Sequence, residues 1–193
     1  MNTLIDNPEA MASGYLAMAQ LFSYPDADAW RRLNEYGLVE PTLNRQALEA
    51  EYLALFEMGG GSSTVSLYEG QNRPECGRDG ILQELLRYYE FFNAHLNQDE
   101  REYPDHLVTE LEFLAWLCLQ EHAALRDGRN AEPFRNAARD FLTRHLAAWL
   151  PDFRRRLEST DTTYALYGPV LGELVKVHRN RLGEQAQEPG VMQ

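Results

Sequence analysis

The stretch Leu107 to Leu119 constrains the fold more than any other part of the chain. Leu107, Val108, Leu111, Phe113, Leu114, Ala115, Trp116, Leu117, Cys118 and Leu119 stand so close together that a helix over about 106 to 126 is apolar around nearly its whole circumference. Such a helix belongs at the centre of a bundle. No apolar run in the chain approaches the roughly 18 to 20 residues needed to cross a bilayer, so the surroundings must come from the chain itself.

Other segments supply them. Residues about 9 to 23 repeat Met11, Tyr15, Met18, Ala19 and Phe22 at spacings of three and four and stop before Pro25. A shorter helix over about 26 to 36 carries Trp30 and Leu33 and ends at Gly37, and about 44 to 57 carries Leu48, Tyr52, Leu55 and Phe56. Asp79 is the expected N-cap of a helix striped by Ile81, Leu82, Leu85, Leu86, Tyr89, Phe92 and Leu96. Asn130 and Pro133 introduce another, with Phe134, Ala137, Ala138, Phe141, Leu142, His145, Leu146 and Trp149 on one face until Pro151. A short turn is expected around Phe153 to Leu157. Thr162 then opens a last helix bearing Leu166, Tyr167, Val170, Leu171, Leu174, Val175 and His178. Strand alternation and hairpin turns are scarce. The expected fold is all-α, one helical bundle of about seven or eight helices spanning residues 1–193.

Three stretches interrupt the bundle. The run Met58-Gly-Gly-Gly-Ser-Ser-Thr64 must break the helix before it and opens a loop over about 58–79, long enough to be functional. That loop contains Val65, Leu67 and Tyr68, which need cover. A polar hinge over about 97–106 precedes the central helix, where Pro104 disfavours helix at Tyr103 and Asp105 can cap the following turn. The tail after Gly183 is polar and expected to fray.

The formal charge is −12, which a nucleic-acid backbone would repel. Residues 1 to 72 hold ten acids against three arginines, a balance of −7. Such a face draws a cationic peptide or simply keeps the protein soluble, and charge alone does not choose between them. No Lys or Arg precedes Arg31, so the positive start of a secretory leader is missing, and the chain is expected to remain in the cytoplasm. Cys76 and Cys118 lack both zinc-knuckle spacing and disulfide density. Cys118 reads as a small buried hydrophobe; Cys76 takes no assigned role.

Catalytic patterns are missing. None of the five histidines has Glu three residues before it, as a di-iron bundle requires. The glycine run lacks the Lys of a phosphate loop, and neither a Gly-x-Ser-x-Gly elbow nor a His-Glu-x-x-His motif occurs. No catalytic residue, cofactor or metal is expected. The rival is a metal-binding helical protein or enzyme using His106 and Glu110, which share a helix face, and also Glu112. Another is a scaffold subunit of a respiratory complex.

Two segments carry a family resemblance. Tyr52-Leu53-Ala54-Leu55-Phe56 is similar to the aromatic-x-x-Leu-Phe element of the TorD/DmsD/NarJ family of molybdoenzyme chaperones. Tyr103-Pro104-Asp105-His106-Leu107, followed by Leu111-Glu112-Phe113-Leu114, resembles its Pro-Asp-His hinge leading into Leu-Glu-Phe-Leu. The order and spacing agree over roughly residues 10 to 180. Between them, where many members carry a Pro-x-Glu-Ser-x-Tyr-like element, only Tyr68-Glu69 resembles it.

The resemblance implies a chaperone, not an enzyme, that binds the twin-arginine signal peptide and the apo-form of a molybdenum-cofactor catalytic subunit before export. By position it makes Asp105 and His106 leader-contacting hinge residues. Tyr52, Leu55 and Phe56 are as compatible with core as with partner contact. A leader presents two arginines followed by an apolar helix, so its receptor needs carboxylates beside an apolar groove. Asp105, Glu102 and Glu100 offer the charge; Pro104, Leu67 and Tyr68 lie with them as binding candidates; and His106 would confer pH sensitivity if it titrates near neutrality. Asp105 as a mere cap, with His106 on a backbone carbonyl, is the plainer alternative. The client, the choice between monomer and helix-swapped dimer, and any binding of nucleotide or molybdopterin stay open.

Overall fold

A computed structural model describes residues 7–40, 42–58, 65–94 and 103–185. The first helix, α1 (Pro8–Phe22), begins where Asn7 accepts the Glu9 amide and Pro8 occupies a position that needs no donor. Asp26 caps α2 (Ala27–Glu35) through the amides of Asp28 and Ala29. It ends at Gly37, whose φ of 63° lets Leu38 N–H return to the Leu33 carbonyl at 2.8 Å, a closure that a residue with Cβ resists.

Helix α3 (Arg45–Tyr52) widens into a π-helical turn, Leu53–Glu57, in which Met58 N–H reaches the Leu53 carbonyl at 2.7 Å. The aromatic-x-x-Leu-Phe element is that turn. Tyr52, Leu55 and Phe56 are buried, with Phe56 5.0 Å from both Tyr52 and Tyr164 between ring centres. In this structure the element is core.

After the loop come α4 (Glu69–Asn72), a 3-10 turn at Pro74–Cys76, and α5 (Arg78–Phe91). The expected structureless loop to residue 79 therefore holds local structure, and α5 starts two residues earlier than expected. Its N-cap position is Gly77, at φ 71°, rather than Asp79; Asp79 lies in the first turn, where its charge still suits the helix dipole.

The central helix is α6 (Leu107–Arg126), buried from Leu107 through Ala124 on most sides as its composition requires. Helices α1 and α7 (Glu132–Arg144) pack directly on it. Then α8 (Leu146–Glu158) packs on α7, and α9 (Tyr167–Gln185) closes the bundle against α1, α7 and α8. Two expectations fail here. The helix after Asn130 breaks at His145 (φ −114°, ψ −100°), six residues before Pro151, and Pro151 with the supposed turn at Phe153–Leu157 lies inside α8. His145 leaves the helical path where its imidazole meets a buried carboxylate, described below; Pro151 forfeits one helical hydrogen bond while Leu150 and Phe153 beside it are buried. The second concerns Thr162, which introduces a 3-10 turn, Thr163–Leu166, before α9. Glu51 on α3 caps that turn, accepting from Thr163 N–H at 2.7 Å and Thr163 Oγ1–H at 3.2 Å.

Among the described residues no strand forms, and no helix is long and apolar enough to cross a membrane.

Candidate functional site

The hinge and the loop are zipped together. Tyr68 and His106 form an isolated antiparallel bridge, Glu69 N–H donates to the Asp105 carbonyl at 2.8 Å, and Leu107 N–H donates to the Leu67 carbonyl at 2.7 Å. Tyr89 O–H holds the Pro104 carbonyl at 2.8 Å and Thr109 O–H the Tyr103 carbonyl at 3.2 Å. The Tyr68-Glu69 stretch and the hinge thus make one local structure at the N-terminus of α6, apart from the Tyr52–Phe56 element.

Asp105 does not cap α6. Its side chain is fully buried; Oδ2 accepts the Gly70 amide at 3.2 Å and Arg78 Nε–H at 3.3 Å, and Oδ1 accepts Arg78 Nη2–H at 3.4 Å. His106 is the cap instead, its Nδ1 accepting Val108 N–H at 3.3 Å. Burial lowers the His106 pKa to about 4 against a partial opposing pull from Asp105, so the condition for pH sensitivity near neutrality is not met and the ring is neutral at pH 7. Pro104 is half-buried, Tyr68 half-buried and Leu67 buried. Leu67 is therefore core in this conformation and offers no surface to a ligand. Glu100 and Glu102 lie outside the described residues.

Behind the hinge is a second buried charge group that sequence reasoning missed. Glu69 is fully buried and held by Arg73 Nη1 at 2.5 Å and His145 Nδ1 at 2.9 Å. Arg73 also donates to the Arg144 carbonyl at 2.7 Å and to Cys76 Sγ at 3.1 Å. Glu110 is fully buried as well, accepting Trp149 Nε1–H at 3.3 Å. Burial first, then the nearby Glu69 charge, push its carboxyl well above the ordinary range. The one available signal was a carboxylate, Glu69, beside an apolar loop that had to be covered; its partner 76 positions away had no local trace.

His106 and Glu110 are each spent on these contacts, and among the described residues no group of three His, Cys, Asp or Glu side chains is placed to hold a metal ion. Of the helix motif, Leu111, Phe113 and Leu114 are core and Glu112 is exposed. A groove of about 740 Å³ runs between α5 and α7, lined by Glu84, Arg87, Tyr88, Phe91, Phe92 and Asp140 among others. At about 100° per helical residue, Arg78 and the groove-lining Gly80, Glu84, Arg87 and Phe91 leave α5 on opposite sides. The groove and the Asp105 carboxylate therefore do not form one continuous channel.

The chain is 83% identical over 193 residues, the whole of both chains, to a chlorate reductase assembly chaperone protein from Ideonella dechloratans. It is 78% identical over 193 residues, again end to end, to a selenate reductase assembly chaperone protein from Thauera selenatis. The fold is similar, at a TM-score of 0.53 and 23% identity, to a crystal structure described as a candidate redox enzyme maturation protein from Archaeoglobus fulgidus, covering 88% of this chain and 93% of that one. The family model described as nitrate reductase delta subunit matches residues 20–155, through both motif regions and most of the bundle, and the chain belongs to that family, the TorD/DmsD/NarJ chaperones.

Proposed function

We propose that this chain is a cytoplasmic assembly chaperone that holds the apo-form of a molybdenum-dependent oxyanion reductase subunit, and its twin-arginine leader, until the cofactor is in place. The observation that carries the reading is end-to-end similarity to assembly chaperones for chlorate and selenate reductases. The chemistry of the molecule is in keeping with it. A surface of net charge −12 attracts a basic leader over several ångströms and steers its approach, while the groove between α5 and α7 offers aromatic surface to an apolar segment.

Isothermal calorimetry with a synthetic leader from a co-expressed molybdoenzyme tests this directly. Binding should release measurable heat and should weaken between 50 and 200 mM salt, as the charges of the leader and the surface are screened from one another. If neither the leader nor the apo-subunit binds, the chaperone reading fails.

A further inference from the structure

We infer that Asp105, Tyr68 and Tyr103 form a receptor for a guanidinium group, and that the chain keeps this receptor filled with its own Arg78. The inference rests on the leader reading above and names the part of the site that would take a leader arginine.

The geometry is that of a bound arginine. Arg78 presents Nε and Nη2 to the two oxygens of Asp105, at 3.3 and 3.4 Å, the forked arrangement that a guanidinium adopts on a carboxylate and an ammonium cannot. Its Cζ lies 5.7 Å from the ring centre of Tyr68 and 5.0 Å from that of Tyr103, both within the range of cation–π attraction. The two rings meet edge to face at 6.0 Å, so they form adjoining walls above one carboxylate. Tyr68 comes from the loop and Tyr103 from the hinge, and the backbone bridge between Tyr68 and His106 joins those two segments.

The occupant is seated loosely. Both Arg78 to Asp105 distances exceed the roughly 2.7 to 2.9 Å of a tight charge-assisted hydrogen bond. The Asp105 side chain is fully buried while that of Arg78 is 41% exposed, so the carboxylate lies one removable side chain below the surface. Gly70 makes the seat possible. A Cβ there would stand 2.6 Å from Arg78 Cγ and 3.0 Å from Asp105 Oδ2, so any larger residue must unseat the arginine stem. An incoming arginine therefore meets a prepared site and competes with an internal copy of itself. The competition weakens its apparent affinity by the fraction of time the site is open.

The test is an NMR titration of the full chain with N-acetyl-arginine-N-methylamide, with its lysine counterpart as control. Arg78→Gln should bind the arginine compound about tenfold more tightly than the parent if Arg78 fills the site nine-tenths of the time. The lysine compound should not gain, and adding Asp105→Asn should remove the gain. Arg78→Lys retains the charge but cannot fork onto the carboxylate, and should give the same direction of change, which covers the case in which Arg78→Gln does not fold. Equal affinity of the parent and a folded Arg78→Gln or Arg78→Lys protein, or no binding by either folded variant, overturns the inference. A parallel titration with the leader peptide separates the two proposals. If the variants gain the arginine compound but no protein binds the leader, the guanidinium receptor stands and the leader reading falls. If the parent binds the leader and neither variant gains either ligand, the reverse holds.

Discussion

Helix α6 carries a buried glutamate near each end, and the two are in opposite states. Glu121, 2% exposed, is gripped by Arg181 at 2.5 and 3.0 Å and by Arg135 at 2.7 Å. Burial alone would raise its pKa, but the hydrogen bonds and charges of the two arginines outweigh that and hold it below the ordinary value. Glu110, at the hinge end, has only the Trp149 N–H, and among the described residues its Oε1 has no hydrogen-bond partner. There burial wins and the carboxyl is pushed toward the neutral acid. What separates them is the number of cations each can reach. The far end is a bolt; the hinge end pairs Glu69 with Arg73 and Asp105 with Arg78, whose side chains both reach solvent, and leaves Glu110 to Trp149.

Replacement of each glutamate by glutamine breaks this comparison most sharply. Glu121→Gln leaves Arg181, 2% exposed, without its counter-charge and should cost about 3–5 kcal/mol in urea unfolding. Glu110→Gln keeps an acceptor for Trp149 and removes no required charge, so its effect should stay within about 1 kcal/mol. If the two losses are equal, the contrast between the ends is wrong.

Acid titration is the next effect. Burial, with a further push from Arg181, lowers His178 to about 4, and burial lowers His106 to about 4, each from 6.5. Between those values the unfolded chain binds protons that the folded chain refuses, so stability is present above pH 6.5 and falls as the pH drops toward 4, by up to roughly 3 kcal/mol for each ring. His106→Asn retains a capping acceptor and should flatten the slope by one ring's share. Glu110 acts with the opposite sign: its raised value favours the folded state at low pH, and that contribution is lost as the pH rises through its folded value. Urea midpoints at several pH values for parent, His106→Asn and Glu110→Gln resolve the three slopes.

The smallest expected effect concerns the hinge carbonyl held by Tyr89. Tyr89→Phe removes the donor to Pro104 and should cost about 1 kcal/mol, with faster amide hydrogen exchange at Leu107 and Glu69, whose N–H groups form the zipper. Unchanged exchange at those two amides would mean that the loop contacts alone hold the hinge.

Much of the fold was legible in the sequence because helix formation and burial write a periodic record. The stripe from Met11 to Phe22, the all-round apolar run of α6, and Gly37 as a stop each follow from spacing within a few residues. The boundary at His145 was not legible, since a histidine on an apolar face reads as one more core position until Glu69 is known to stand beside it. Proline at 151 pointed the wrong way for the same reason: its cost is local and certain, whereas the burial of Leu150 and Phe153 that offsets it depends on neighbours in other helices. At the site, the hinge was picked out by resemblance, and the structure buries both Asp105 and His106 there. Their roles were not legible, because a side chain's role depends on which groups face it.

By itself the sequence determined that this is an all-helical bundle around one apolar helix, with an acidic surface and an interrupted stretch on each side of α5. Periodicity is short-range, and a few residues suffice to express it. Only the tertiary structure decided that Asp105 is covered by an arginine 27 positions earlier and that Glu121 is neutralised from 60 positions away. Partners at such separations are chosen by the packing of whole helices, and their charges act only once that packing has removed the water between them.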